Sequence, residues 1–348
     1  MNLNATADLS PFSRLNFHAN ITPGLRLGLH ASAAFAAIKR TEFQNQFLSH
    51  GRFKSFVLIY LSAKRKIMNT FRKALQQESP LQILGTFNAY VAMMAKEAGF
   101  QALYLSGASL SNFSYGLPDL GIFSLDNLLE DLGRISDAVD LPLLVDIDTG
   151  WGGGLILERA MRLLWRQGAA AVQIEDQEEA KRCGHRPGKK IVTSQEMVER
   201  IEAAVAGRPS EEMLIVARSD AYASEGLQKT IERGKAYIAA GADLFFPEAL
   251  TTLEEFQLCC KEISIPILAN MTEFGKSPLL TTAQLKDAGV SAVLYPLTIA
   301  RAMNSTAWDT MNFLRQEGTQ GPLLERMQTR DELYHFLNYH FKEGDKEK

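Results

Sequence analysis

Short apolar runs alternate with longer, mixed stretches along the chain from about residue 69 onward. Each run is rich in Leu, Ile, Val, Ala or Phe, which favours a strand buried on both faces. The runs occupy residues 83–86, 102–105, 143–146, 171–174, 214–217, 244–247, 267–270 and 292–295. Apolar runs separated by helix-length stretches predict repeated βα units and a parallel sheet.

The stretches between the runs have the length of helices, and several end at a glycine, as at Gly99, Gly168, Gly241 and Gly289. We predict helices at residues 87–98, 125–138, 154–167, 194–206, 226–240, 252–262 and 281–288. Eight βα units in about 230 residues match a (β/α)8 barrel, the TIM barrel of the α/β class. A doubly wound open sheet is the alternative, but its dinucleotide-binding form is disfavoured because no G-x-G-x-x-G follows the first run.

Both ends of the chain lie outside this repeat. The only acidic residues in residues 1–67 are Asp8 and Glu42, which is typical of a mitochondrial transit peptide or of translation from a start upstream of Met68. We expect this N-terminal extension to be disordered or a non-native start. Residues 68–348 are predicted to form one domain, with C-terminal helices from about residue 300 whose apolar residues suit a partner subunit.

Composition limits the classes of function. The chain has 348 residues, of which 46% are hydrophobic, and this is enough for a large core. A net charge of −3 gives no general attraction to nucleic acid or to membranes, and no apolar run reaches the ~20 residues that span a bilayer. Three cysteines in this length favour a reducing compartment, which is the cytoplasm, or the mitochondrial matrix if the leader is a transit peptide.

Polar residues follow most of the predicted strands. In a (β/α)8 barrel the active site lies at the carboxyl ends of the strands, so these residues should converge on one face. In chain order, the residues at or after the strand ends are Ser106, Gly107, Ala108, Asp146, Asp148, Glu175, Asp176, Arg218, Ser219, Asp220, Glu248, Asn270, Thr272, Glu273 and Arg301. Together they predict a pocket of carboxylates beside cations, suited to a divalent metal and a polyanionic substrate.

Asp146 and Asp148 are separated by one residue, which places both side chains on one face if the strand continues. Hard carboxylate oxygens, with Glu175 nearby, suit Mg²⁺ or Mn²⁺. A pair of acids that cap a βα loop is the other interpretation. Arg218 and Arg301 are suited to clamp carboxylates, although single arginines commonly form surface ion pairs.

The segment 181–186 reads KRCGHR and combines a thiol with several cations. The positive charges around Cys183 favour its thiolate, which makes it a candidate acid, base or nucleophile. Gly184 permits a tight bend or a close approach of a ligand. His185 is a candidate to orient or bind substrate. The alternative is a basic surface loop with an incidental cysteine.

This segment also resembles a motif of the isocitrate lyase and phosphoenolpyruvate mutase superfamily, most closely in its 2-methylisocitrate lyase branch. Supporting motifs follow one another along residues 69–340: YLSG at 104–107, GLPDLG at 116–121, VDID at 145–148, IEDQ at 174–177, FPEA at 246–249, LANMTEFG at 268–275 and QTRDELY at 328–334. The combination in this order is highly specific.

The chain departs from the family pattern at Ala108 and Gln173, where glycine and histidine are usual, and these changes are expected to tune affinity.

The resemblance implies Mg²⁺-assisted retro-aldol cleavage of 2-methylisocitrate to pyruvate and succinate, a step of propionate breakdown. Mn²⁺ is expected to substitute for Mg²⁺. Cys183 would protonate the succinate carbanion, Tyr104 would help to remove the hydroxyl proton, and Arg218 would stabilise developing charge. The implied metal residues are Asp146 and Asp148, with Asp119 and Glu175 acting through water. The implied substrate contacts are Ser106, Gly107, Ala108, Gly184, His185, Arg218, Glu248, Asn270, Thr272, Arg301 and Arg330, with Phe246, Leu294 and Pro296 around the methyl group.

Other functions stay open at this point. Isocitrate lyase acts on a substrate that lacks one methyl group, which an apolar pocket discriminates by only ~1–3 kcal/mol. Other carbon–carbon lyases of the superfamily and a non-catalytic ligand-binding barrel are more remote. The resemblance further implies a small-molecule tricarboxylate substrate and a homotetramer in which neighbouring subunits exchange the last barrel helix.

Overall fold

Eight parallel strands form the centre of the molecule, as the hydrophobic pattern predicts. A computed structural model describes residues 70–179, 181, 184 and 188–339, which lie in one compact unit. The predicted N-terminal extension, residues 1–67, falls outside them. The strands are β1 (Leu81–Gly85), β2 (Ala102–Leu105), β3 (Leu143–Asp146), β4 (Ala169–Glu175), β5 (Leu214–Ser219), β6 (Leu244–Pro247), β7 (Leu268–Asn270) and β8 (Ala292–Tyr295).

Helices connect the strands in the order expected of βα units. They are α1 (Thr70–Gln77), α2 (Ala89–Glu97), α3 (Leu125–Ala138), α4 (Gly154–Gln167), α5 (Ser194–Gly207), α6 (Tyr222–Ala239), α7 (Leu253–Glu262), α8 (Thr282–Asp287), α9 (Thr298–Glu317) and α10 (Arg330–Phe336). Local chemistry sets their ends. The side chains of Ser124, Thr252 and Thr281 cap α3, α7 and α8, and left-handed Gly168 ends α4.

The sheet closes into a barrel. Its strand order is β6-β5-β4-β3-β2-β1-β8-β7, with parallel neighbours throughout. A parallel bridge joins Phe245 of β6 to Ile267 beside β7, and the Phe245 N–H donates to the Pro266 carbonyl at 3.0 Å. The predicted (β/α)8 fold is therefore confirmed, and the open doubly wound sheet is excluded. Closure brings the carboxyl ends of all the strands to one face.

Two buried apolar clusters hold the barrel together. Strand residues alternate between them, because successive side chains point to opposite faces of the sheet. The interior cluster includes Ile83, Tyr104, Leu144, Ala171, Val216, Phe246, Leu268 and Leu294, together with Phe71 from α1. The outer cluster packs strand residues such as Val145 and Ile215 against helices, including Leu128 and Leu132 of α3.

Two helices differ from the predicted pattern. Helix α1 was not anticipated because it is short and its only apolar residues are Phe71, Ala74 and Leu75. Helix α6 begins at Tyr222 rather than at residue 226, and Gly226, with φ 80°, interrupts it. The predicted start therefore coincides with a kink between two helical pieces, where glycine supplies a positive φ.

The C-terminal helices have little contact with the barrel. Of the residues in α9 only Ala300 is buried, and Met303, Trp308, Met311 and Leu314 are exposed. Helix α10 returns to α2, where the rings of Tyr90 and Phe336 meet edge to face. None of the described helices combines the length and apolarity needed to cross a membrane.

Candidate active site

The carboxyl ends of β3 and β4 bring three acidic side chains together. Asp146 ends β3, Asp148 follows closely, and Glu175 ends β4. One carboxylate oxygen from each residue lies within 4.8 Å of the others. The three residues are 4%, 6% and 1% exposed, so their charges are held away from water. We call these three residues the acid cluster.

A turn, and not a continued strand, brings Asp148 to the acid cluster. Strand β3 ends at Asp146, and Asp148 has φ 49°, in the left-handed region that aspartate tolerates better than most residues. The Asp148 N–H donates to Asp146 Oδ1 at 3.1 Å, and the Gly107 N–H donates to Asp146 Oδ2 at 3.0 Å. The sequence spacing correctly predicted proximity, but the assumed strand geometry was wrong.

Lys181 places its ammonium group against the acid cluster. Its Nζ lies 2.7 Å from Asp119 Oδ1 and 2.5 Å from Asp148 Oδ1. Burial raises the pKa of Asp148 to about 7, although the Lys181 charge opposes this. Burial disfavours the Lys181 cation, but Asp148 and Glu175 outweigh it and raise the pKa of Lys181 well above its usual value. Lys181 therefore stays charged and binds two loops together.

Oxygens in this region fit a divalent cation. Within the described part of the chain, buried Asp119 Oδ1 and Asp148 Oδ1 accept no well-directed hydrogen bond, although both contact the Lys181 ammonium. Burial raises the pKa of Glu175 well above its usual value, which reflects the cost of its charge there. Buried carboxylates are stabilised by pairing or by coordinating a metal. A set of hard oxygens suits Mg²⁺ or Mn²⁺.

Arg218 connects the acid cluster to the neighbouring strand end. Its Nε lies 3.0 Å from Asp220 Oδ2, 3.4 Å from Glu175 Oε2 and 3.9 Å from Glu248 Oε2. The guanidinium carbon lies 5.2 Å from the centre of the Phe246 ring. Burial opposes the charge, but these carboxylates outweigh it and raise the pKa of Arg218. A permanent cation therefore stands beside the acids.

Gly184 lies against the side chains of Arg218 and Glu248. A Cβ atom at this position would lie 2.3 Å from Arg218 Nη2 and 2.6 Å from Glu248 Oε1. Only glycine permits this approach without displacement of the two side chains. Cys183 and His185 lie outside the described residues, so their predicted roles stay predictions.

Tyr104 faces the barrel interior and belongs to a chain of hydrogen bonds. Its hydroxyl donates to Gln173 Oε1 at 2.6 Å, and Gln173 Nε2 donates to Glu175 Oε2 at 3.3 Å. Gln177 Nε2 donates to the other Glu175 oxygen at 3.0 Å. Burial, aided by the charge of Asp146, raises the pKa of Tyr104 well above its usual value. The phenol therefore keeps its proton, and Gln173 links it to the acid cluster.

The remaining predicted polar contacts divide between the buried site and its rim. Asn270 ends β7 and its Nδ2 lies 3.3 Å from Glu248 Oε2. Thr272 is buried, and so are Ser106 and Gly107 at the helical turn after β2, with Ala108 half-buried.

Arg301 lies at the rim, beside a cavity of about 710 Å³, with Nε 3.4 Å from Glu273 Oε2. Arg330 begins α10 and is exposed, and no contact with the acid cluster is seen among the described residues.

Apolar side chains form the floor of the site. Phe246 and Leu294 belong to the interior cluster and are each 1% exposed. Pro296 is buried just after β8, and its carbonyl oxygen would lie 1.8 Å from a Cβ atom at position 85. Because Gly85 has no side chain, the end of β1 and Pro296 pack closely against each other.

Sequence reasoning missed the supports behind the acid cluster. Arg200 Nη1 donates to the carbonyl of Glu175 at 3.2 Å and to that of Gln177 at 2.8 Å. These contacts hold the end of β4 in place. Arg200 lies one helix further along the chain, and no local pattern marks which of the many arginines turns inward.

Comparisons with known proteins show what the chain is similar to. The sequence model of the family described as phosphoenolpyruvate phosphomutase matches residues 71–315. The 2-methylisocitrate lyase of Shewanella oneidensis is 54% identical over 270 residues, which cover 78% of this chain and 92% of that protein. The 2-methylisocitrate lyase of Escherichia coli is 51% identical over 271 residues, with 78% and 92% covered.

Solved structures share the barrel. A 2,3-dimethylmalate lyase, described as a member of the PEP mutase/isocitrate lyase superfamily, superposes with a TM-score of 0.73 at 31% identity and covers 78% of this chain and 91% of its own. A phosphonopyruvate hydrolase in complex with oxalate and Mg²⁺ gives a TM-score of 0.70 at 26% identity, with 78% and 95% covered.

Replacement of Asp148 by asparagine should weaken binding of a divalent metal. We expect Asp148→Asn to raise the dissociation constant for Mn²⁺ at least about tenfold, because a buried anionic oxygen is lost. Free Mn²⁺ measured by electron paramagnetic resonance gives the constant. Asp140→Asn is the matched control, since Asp140 is 67% exposed and pairs with Lys96. Equal affinities in the two variants would remove the acid cluster as the metal site.

Proposed function

The chain belongs to the phosphoenolpyruvate phosphomutase family and is a carbon–carbon lyase, and from this premise we propose that it cleaves 2-methylisocitrate to pyruvate and succinate. The observation that carries the proposal is the buried acid cluster beside Arg218, at the strand ends where such barrels hold their active sites. Relatives named 2-methylisocitrate lyase, at 51–54% identity, support the choice of substrate.

We assign Asp146 and Asp148 as direct ligands of Mg²⁺, with Asp119 and Glu175 acting through water. The relative that carries Mg²⁺ in its description supports this metal, for which Mn²⁺ should substitute. When bound, Mg²⁺ would supply Lewis-acid stabilisation of negative charge on substrate oxygens. The amides of Gln173 and Gln177 hold the Glu175 carboxylate on both of its oxygens, which fixes its orientation.

Arg218 is the residue that we assign to the substrate carboxylate next to the breaking bond. Its guanidinium is charged and buried, so its attraction for an anion is strong. It is also fixed before substrate arrives, by Asp220 on one edge and the Phe246 ring on its face. A preorganised cation stabilises the charge that develops as the carbon–carbon bond breaks. Ser106, Asn270, Thr272, Arg301 and Arg330 stay proposed contacts for the other polar groups.

The cleavage breaks the bond between the hydroxyl-bearing carbon and its succinyl neighbour. The hydroxyl group passes its proton to Glu175, because burial raises the pKa of this carboxylate well above its usual value, and the hydroxyl oxygen becomes the keto oxygen of pyruvate. The electron pair of the broken bond stays on the succinyl carbon, and Cys183 donates a proton to it. Such proton transfer is typically worth ~10²–10⁴ in rate.

We assign Tyr104 a narrower role than removal of the hydroxyl proton. Its raised pKa means that it carries its own proton, which it donates to Gln173. A neutral phenol is a poor base but can orient the substrate hydroxyl by hydrogen bonding. The methyl group would contact the apolar side chains of Phe246, Leu294 and Pro296.

The product formed from each of two substrates tests this function. With Mg²⁺ present, we expect pyruvate from 2-methylisocitrate at a kcat/KM about 10–200-fold above that for glyoxylate from isocitrate, which is what one methyl group in an apolar pocket provides. Coupled assays for the two oxo acids measure both values, and Cys183→Ser should abolish both signals. A preference for isocitrate would contradict the assignment of the apolar pocket.

We propose further that the chain forms a homotetramer through exchange of α9. In this helix the exposed Met303, Trp308, Met311 and Leu314 form an apolar surface that the barrel of the same chain does not cover. Contiguous exposed apolar side chains are typical of a protein interface. A neighbouring barrel is its proposed occupant, as the resemblance to the superfamily implies.

Introduction of a charge on α9 should break the assembly. Trp308 is 65% exposed in the single chain, and Trp308→Glu should reduce the mass measured by light scattering from four chains to smaller species. Asp309→Asn, on the neighbouring position of α9, is the control and should leave the mass unchanged. A wild-type protein that elutes as a monomer would refute the proposed exchange.

A further inference from the structure

Asp220 joins two cations that come from distant parts of the sequence. Its side chain is fully buried just after β5. Its Oδ2 accepts a hydrogen bond from Arg218 Nε at 3.0 Å, and its Oδ1 accepts from Arg218 Nη2 at 3.2 Å. The same Oδ1 accepts from Lys189 Nζ at 2.7 Å. One carboxylate therefore holds an edge of Arg218 and the end of Lys189.

Lys189 directly precedes a short antiparallel pairing that follows β4. Residues 176–178 and 190–192 pair antiparallel: the Glu178 N–H donates to the Lys190 carbonyl at 3.0 Å, and the Val192 N–H donates to the Asp176 carbonyl at 2.9 Å. The Lys189 side chain is 5% exposed, whereas that of Lys190 is 77% exposed. Of these two adjacent lysines, Lys189 turns into the protein and Lys190 faces solvent.

We propose that Lys189, acting through Asp220, positions Arg218 for the substrate carboxylate. The inference rests on the proposed function, because it takes Arg218 as a substrate contact. Lys189 is a positioning residue and does not touch the reacting atoms. Gly184 also lies close to Arg218, so the space around the guanidinium is limited on that side as well.

Charge balance gives the physical reason. Arg218 lies near the carboxylates of Asp220, Glu175 and Glu248, at 3.0, 3.4 and 3.9 Å from its Nε. Lys189 neutralises Asp220, so Arg218 is not its sole cation. Without Lys189, the whole charge of Asp220 acts on Arg218, which draws the guanidinium towards Asp220 and weakens its attraction for an incoming anion. A neutral replacement should therefore impair substrate binding from a distance.

Kinetics of Lys189 variants with 2-methylisocitrate and Mg²⁺ test this role. We expect Lys189→Met to lower kcat/KM about 10²-fold, mostly through a higher KM, as a misplacement of about 1 Å would. Lys189→Arg keeps the charge and should retain most of the activity. Lys190→Met is the matched control and should stay within about twofold of wild type.

A double variant separates action through Asp220 from a general loss of structure. Asp220→Asn should also lower kcat/KM, and the combined variant with Lys189→Met should be no worse than Asp220→Asn alone, because Lys189 acts only through that carboxylate. Removal of both charges also avoids a buried unpaired acid, which keeps a folded protein available if Lys189→Met does not fold. Additive losses would overturn the inference.

Wild-type turnover in the same assay distinguishes failure of the Lys189 role from failure of the proposed function. Pyruvate formation by wild type, with Lys189→Met within twofold of it, would overturn the role of Lys189 and leave the proposed function intact. A lower unfolding temperature with unchanged KM would assign Lys189 to structure alone and would also overturn it. Absence of pyruvate from wild type would overturn the proposed function and this inference with it.

Discussion

The pairing of buried charge at the strand ends is the interaction on which the site depends. Asp146, Asp148 and Glu175 are almost completely buried, where an isolated carboxylate is costly. Lys181 and Arg218 reach this cluster from different segments and compensate part of its charge. The same imbalance of charge that would destabilise an ordinary core provides a place for a divalent metal and an anionic substrate. The buried carboxylates therefore cost stability, and this cost is offset when the site binds its metal.

The barrel makes this concentration of charge possible. Its interior is filled by apolar side chains from all eight strands, so the polar residues are confined to the carboxyl end. Closure between β6 and β7 brings Glu248 and Asn270 side by side, with Asn270 Nδ2 3.3 Å from Glu248 Oε2. Asp146, Glu175 and Arg218 lie in the strands themselves, whereas Lys181, Gly184 and Lys189 come from the connection after β4.

The strands and the acid cluster could be predicted from sequence because both follow from local patterns. Apolar runs mark buried strands, and residues at their carboxyl ends must converge once the barrel closes. The turn at Asp148 was not predictable, because a positive φ is uncommon at residues other than glycine and no local pattern marks it here. The roles of Lys181, Lys189 and Arg200 were not predictable either, since each is fixed by a partner far away in sequence.

Anomalous diffraction from crystals that contain Mn²⁺ and pyruvate would show whether the acid cluster binds the metal. We expect one strong peak at the strand ends, with a carboxylate oxygen of Asp146 and one of Asp148 at about 2.1 Å from the metal. We also expect the Lys181 ammonium to move off Asp148 as the metal takes its place. A peak only at exposed acids, with Lys181 still on Asp148, would show that the acid cluster is not the metal site.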